Sequence, residues 1–206
     1  MKIEKKEYQS IRYLVYYPKN YVEGKKYPLF FHLHGAGSRG NDFSAFNDSV
    51  ILSVINKEDS PLSNCICVFP QCHTDTWFDI FSELLSLVKE IYNWPNVDQS
   101  KLLASGISMG GYAIYQVMMS LNTLFHKGIV CCGGGMHWNA GRLWNIPLRI
   151  FHGQNDPIVD VQEAIWMRDK INESCGQAVL TIYPDCEHNC WDKTYLNYDN
   201  LEWLVS

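Results

Sequence analysis

The run Ser105-Gly106-Ile107-Ser108-Met109-Gly110-Gly111 has the Gly-x-Ser-x-Gly form, a spacing suited to nucleophilic catalysis. It follows the apolar stretch Lys101 to Ser105 and opens a helix-like segment, so Ser108 falls where a strand must turn sharply into a helix. A strained turn lifts the serine oxygen out of the backbone, and small neighbours leave room for a substrate carbonyl. A hydroxyl is a poor nucleophile at neutral pH without a base in hydrogen-bond reach and a third group to orient that base. With this type of turn the partners follow in the order Ser…Asp…His. Acyl transfer also needs donors aimed at the developing oxyanion, each supplying about 3–4 kcal/mol. Met109, directly after the serine, can offer its backbone N–H.

The chain has seven histidines from which to draw a base. His32 and His34 end an early strand and His152 a later one. His73 and His137 lie in loops, His126 lies past the helix after Ser108, and His188 sits in a turn-rich loop after the last strand. For the acid, Asp156 and Asp160 compete. Asp160-Val161-Gln162-Glu163 reads as a capping box, which gives Asp160 a structural task that Asp156 lacks. Asp185 is too near His188 along the chain for the usual geometry. Cys186-Glu187-His188-Asn189-Cys190 has no second Cys/His pair at ligand spacing, so no metal is expected. Gly133-Gly134-Gly135 lacks the spacing of a dinucleotide fingerprint and reads as a loop beside the site. No cofactor is expected.

These residues must be positioned by alternating strands and helices, a pattern that favours a parallel sheet with helices on its faces. The strands expected are Ile11–Tyr17, Leu29–His34, Cys65–Phe69, Lys101–Ser105, Gly128–Cys132, Leu148–Phe151 and Ala178–Tyr183. The helices are Phe78–Tyr92, Gly110–Leu121, Val161–Ser174 and a closing segment near Asp192–Leu204. Phe81, Leu84, Leu85, Val88 and Tyr92 recur at helical spacing and predict one buried stripe. Pro95 and the Asn96-Val97-Asp98 turn chemistry end that helix. With no repeat or linker, residues 1–206 read as one domain.

The 206 residues, 47% hydrophobic and 19% charged, suffice for a substantial core. A net charge of −5 with no basic run argues against nucleic acid as a partner. The opening Met1-Lys2-Ile3-Glu4-Lys5-Lys6-Glu7 has no apolar region behind it, and no stretch approaches the roughly 18 apolar residues of a membrane span. Cys65, Cys67, Cys131 and Cys132 lie in apolar strand-like segments and read as reduced core thiols. That implies a cytoplasmic chain, although a secreted chain stripped of its signal peptide has the same composition.

Taken together, several runs resemble the α/β-hydrolase superfamily, and within it the small phospholipase/carboxylesterase-like branch that includes predicted peptidases and dienelactone-hydrolase-like esterases. The runs are Tyr27 to Asp42 with its His32-Leu33-His34-Gly35-Ala36-Gly37 core, Phe69-Pro70-Gln71-Cys72, the Ser108 turn, Gly133-Gly134-Gly135, Phe151 to Val159, and Tyr183 to Trp191. The resemblance runs from about residue 10 to the C-terminus. It implies a three-layer α/β-hydrolase fold with a mostly parallel sheet of about seven strands and no large lid. It also implies Ser108 as nucleophile, His188 as base, Asp156 as acid, and an oxyanion hole of Met109 and Ala36, with Gly37 the alternative donor. Histidines before such glycines are mostly structural in the family, and Arg39-Gly40-Asn41-Asp42 braces the oxyanion loop. Gly37, Trp77, Trp138 and Trp191 are candidate pocket residues. Trp77, Trp138 and Trp144 fall at the rim, where packing is the competing explanation.

The function expected is therefore serine carboxylic-ester hydrolysis of small soluble esters, including carbohydrate-linked acetyl or feruloyl esters, by a monomer or homodimer. Thioester or peptide hydrolysis would use the same triad. A non-catalytic hydrolase-fold binding protein is the reading of another class, and loss of a triad residue would be its sign.

Overall fold

A computed structural model describes residues 2–47 and 49–206, so Met1 of the charged N-terminal run lies outside the described residues. One eight-stranded sheet organises the chain: β1 (Ile3–Tyr8), β2 (Ile11–Tyr16), β3 (Tyr27–Leu33), β4 (Ile66–Gln71), β5 (Val97–Ile107), β6 (Phe125–Cys131), β7 (Leu148–Gly153) and β8 (Ala178–Tyr183). Their spatial order is β1-β2-β4-β3-β5-β6-β7-β8. The pairings β1–β2 and β2–β4 are antiparallel, and every later pairing is parallel.

Six helices cover the two faces: α1 (Val50–Ile55), α2 (Phe81–Tyr92), α3 (Met109–Ser120), α4 (Val161–Glu173), α5 (Trp191–Leu196) and α6 (Tyr198–Val205). Adjacent strand residues go to opposite faces, which explains why the central strands are continuous apolar runs. Phe31, Leu102 and Val130 join Leu84, Val88, Ile114 and Met167 of α2, α3 and α4 in one core. Phe30, Leu103 and Ile129 join Ile51, Tyr195 and Leu204 of α1, α5 and α6 in the other. The result is a three-layer α/β sandwich.

Several elements depart from the sequence expectation. β1 is an added edge strand, paired from Ile3↔Tyr16 to Tyr8↔Ile11. Its Glu4-Lys5-Lys6-Glu7 run leaves no apolar run to detect, and these charges suit an edge that must not recruit another chain. β5 begins at Val97, which pairs with Tyr27 before a register shift, so Asn96-Val97-Asp98 is not wholly a turn. The buried stripe of α2 is Leu84, Leu87, Val88 and Ile91, with Phe81, Leu85 and Tyr92 only half-buried at its margins. The closing segment is two helices, because Asn197 leaves helical geometry and its side chain accepts the N–H of Asp199 as a new N-cap.

The sheet supplies a natural site. β3 continues to β4 on one side, whereas β5 continues to β6 on the other, so the loops after β3 and β5 diverge. Ligands bind outside the carboxyl ends of strands at such a switch point.

Candidate active site

Ser108 stands between β5 and α3 with φ 51° and ψ −118°, a conformation L side chains rarely adopt. Its flanking glycines are needed for close approach. A Cβ at Gly106 would lie 2.4 Å from the Gly110 carbonyl oxygen, and one at Gly110 would lie 2.1 Å from that of Leu33. The strand, the turn and α3 therefore pack together only with hydrogen at both positions. The N–H of Ser108 donates to the Cys131 carbonyl at 2.9 Å, tying the turn to β6.

Three distant side chains meet here. Ser108 Oγ lies 2.9 Å from His188 Nε2, and His188 Nδ1 lies 2.7 Å from Asp156 Oδ2. An ionised carboxylate only accepts, so Nδ1 carries the ring proton and Nε2 is left to accept from the serine hydroxyl. Asp156 is held by three donors. Its Oδ1 accepts the N–H groups of Ile158 and Val159 at 2.8 and 2.9 Å, its Oδ2 accepts His188, and His152 Nε2 lies 3.2 Å from Oδ2. Burial pushes this carboxyl upward, but the hydrogen bonds from Val159, His188 and Ile158 outweigh it and hold the group below its ordinary range.

The other acids and bases have separate tasks. Asp160 caps α4 by accepting the N–H of Gln162. Asp185 is exposed. His32 hydrogen-bonds Ser105 Oγ at 3.1 Å, and Ser105 in turn contacts Tyr195. His34 accepts the Cys72 N–H through Nε2 and donates to the Gly35 carbonyl through Nδ1. His152 is fully buried and donates to the Val159 carbonyl at 2.9 Å. His137 stacks on Trp166, His73 is exposed, and His126 is on β6.

The loop after β3 faces the serine. A Cβ added at Gly35 would lie 3.5 Å from Ser108 Cβ. Ala36 and Gly37 begin a short 3₁₀ turn in this loop, and Met109 is the first residue of α3. The N–H groups of all three find no acceptor among the described residues, as expected of donors at the open start of a helix. Gln71 braces the loop, its amide donating to the Ser38 carbonyl and accepting from the Phe43 N–H. The Gly40 N–H adds a bond to the Cys72 carbonyl. Gln71 drew no separate attention in the sequence, since nothing in a Phe-Pro-Gln-Cys run marks the amide as a brace.

A cleft of about 630 Å³ opens over the serine, walled mainly by Ala36, Gly37, Val50, Ile107, Ile158 and Trp191. Trp191 also packs edge-on against His188, with ring centroids 5.5 Å apart. Trp77 does not reach this cleft. It is wholly buried and its indole N–H donates to the His34 carbonyl, making it a support beneath the loop after β3. Trp138 is 74% exposed on the 3₁₀ segment His137–Leu143 and also lies off the cleft, as does Trp144. Gly133 packs against Gly111 and Gly134 against Glu163 and Tyr112, so that glycine run joins α3 to α4 and does not line the cleft. Ile158, 71% exposed beside Asp156, is a wall residue with no sequence signal of its own.

The strand order, the turn bearing Ser108 and the loops that meet there are those of an α/β-hydrolase. A feruloyl esterase C described as probable, from Aspergillus terreus, is 27% identical over 192 residues, spanning 84% of this chain and 70% of its own length. A solved thermostable esterase superposes with TM-score 0.84 at 28% identity, covering 98% of this chain and 62% of that one. Est1E from Butyrivibrio proteoclasticus, at 13% identity and TM-score 0.72, shares the fold over 98% of this chain and 96% of its own. The chain thus spans about two thirds of the length of the first two proteins. No family model matches it. The chain has the α/β-hydrolase fold, and its sequence is similar to these esterases.

Proposed function

We propose that the chain hydrolyses small carboxylic esters through an acyl-enzyme formed on Ser108, with residues 1–206 acting as one catalytic domain. Ser108 Oγ attacks the acyl carbon while its proton passes to His188 Nε2, and Asp156 stabilises the imidazolium that forms. The tetrahedral oxyanion is held by the N–H groups of Met109 and Ala36, with Gly37 as the alternative second donor. His188 then gives its proton to the leaving alcohol. Water attacks the acyl-enzyme with Nε2 as base, releasing the acid and restoring the serine hydroxyl.

The observation that supports this reading is the continuous relay from Ser108 Oγ to His188 at 2.9 Å and on to Asp156 at 2.7 Å. The apolar wall of the cleft favours an acyl group over a charged one. Kinship with proteins named feruloyl esterase supports acetyl or feruloyl esters of carbohydrates as the class of substrate. Among the described residues no helix is long and apolar enough to cross a membrane. Eight unpaired thiols favour the reducing cytoplasm, and the protein acts as a monomer or homodimer. A fluorophosphonate probe tests the nucleophile. Wild-type protein should take the label and Ser108→Ala should not, whereas folded wild-type protein that stays unlabelled contradicts the proposal.

A further inference from the structure

Cys132 lies just past the strand next to the one that leads into the Asp156 loop, in a place no step of ester hydrolysis uses. It follows β6 with φ 41°, and its N–H donates to the Phe151 carbonyl at 2.8 Å. Its thiol is buried against the relay. One donor atom each from Cys132, Asp156 and His188 lies within 4.8 Å of the other two. Sulfur, carboxylate oxygen and imidazole nitrogen together form the donor set of a tetrahedral zinc site with one position left to solvent. Bond lengths of about 2.0–2.3 Å place such donors roughly 3.3–3.6 Å apart. Reaching that spacing needs only a slight widening of the 2.7 Å Asp156–His188 contact and an approach of the thiol by roughly 1 Å. His188 sits on a loop and its side chain is 21% exposed, which provides an entry path.

We infer that Cys132, Asp156 and His188 form a capture site for a thiophilic divalent cation, zinc(II) above all, whose occupancy switches the hydrolase off. The proton count is definite. The metal takes His188 Nδ1, whose proton moves to Nε2, and it displaces the Cys132 thiol proton to solvent. The dication is then balanced by one thiolate and one carboxylate, so the buried site becomes neutral overall. With Nε2 protonated, His188 no longer accepts the Ser108 proton.

Binding stands apart from catalysis, and only the inhibition rests on the proposed activity. The test uses Cys175→Ser protein, which lacks the exposed thiol. Cobalt(II) should bind one-to-one with a thiolate-to-cobalt charge-transfer band, and Cys132→Ala should remove that band. Zinc(II) should inhibit ester hydrolysis and EDTA should restore it. Cys132→Ala should keep the activity while raising the half-inhibitory zinc concentration by at least about tenfold. If the alanine variant fails to fold, Cys132→Ser, with a poor hydroxyl ligand, should lose the band in its place. An unchanged band and unchanged inhibition without Cys132 overturn the inference. A Cys132-dependent band on protein with no Ser108-dependent hydrolysis upholds the metal site and refutes the ester-hydrolase reading.

Discussion

Asp156 is the proposed acid of the relay, and three donors converge on its carboxylate, which is shielded from water. Hydrogen bonds to a charged group contribute about 1.5–3 kcal/mol each, so the loop conformation and the ionised state support one another. Two neutral histidines beneath the loop after β3 act in the same sense on acid stability, but in a higher pH window. Burial, reinforced by the nearby His34, lowers His32 to about 3. Burial lowers His34 to about 4 against the opposing pull of the Gly35 carbonyl. In the unfolded chain both titrate near 6.5. Below that pH the unfolded state takes up protons the folded state refuses, so stability falls as pH drops from about 6.5 toward 4. The slope approaches about 1.4 kcal/mol per pH unit for each histidine. Asp156 acts in a lower window. Its stabilisation is full above the ordinary carboxyl value of 3.8 and is lost as pH falls through its depressed folded value. Urea unfolding between pH 7 and 4 should show the histidine slope, and His32→Asn should reduce it. A flat profile across that range would contradict the assignment of two buried neutral imidazoles.

The elements place these side chains by close contact. A Cβ at Gly153, the last residue of β7, would lie 1.9 Å from the Glu187 carbonyl oxygen. Hydrogen there lets the loop bearing His188 settle over the loop bearing Asp156. Gly153→Ala should displace His188 by an ångström or so and reduce kcat/KM by about a hundredfold, with the protein still folded. Near-normal esterase rates for this variant would contradict the packing account. The sequence reveals such joints unevenly. The Ser108 turn is legible because the backbone geometry demands small residues at fixed offsets around the serine. Asp156 is legible as the candidate acid because Asp160 already has a cap to form. Gly153, Gln71 and His152 are not, since their partners are brought near only by folding. β1 is hidden by its charges. The six-residue helix α1 is hidden because one and a half turns leave too few repeats to set a period apart.

At the scale of the molecule, the switch in strand order between β3 and β5 makes the cleft, and the loops after β3 and β8 complete it. Apolar runs and their alternation with helices make this architecture readable before any coordinates. The pocket lining is less so, because sequence places Trp77 near a strand end without telling which side of the loop the indole takes. The cleft is open, with Ile158 at its edge and Trp191 beside His188. Burial of each further methylene contributes about 0.8 kcal/mol only where a wall exists to cover it. Nitrophenyl acetate and butyrate should therefore exceed the decanoate in kcat/KM by at least about tenfold. Preference for the decanoate would mean a longer acyl channel than this cleft provides.

The central claim is that Ser108, His188 and Asp156 act as one proton relay, and groups acting as a unit do not add. The decisive measurement is kcat/KM for Ser108→Ala, His188→Ala and the double variant on one short ester. The account predicts losses of about 10⁴-fold or more in each single variant and no further loss in the double. A double variant falling by the product of the two, or a His188→Ala enzyme close to wild type, would contradict it.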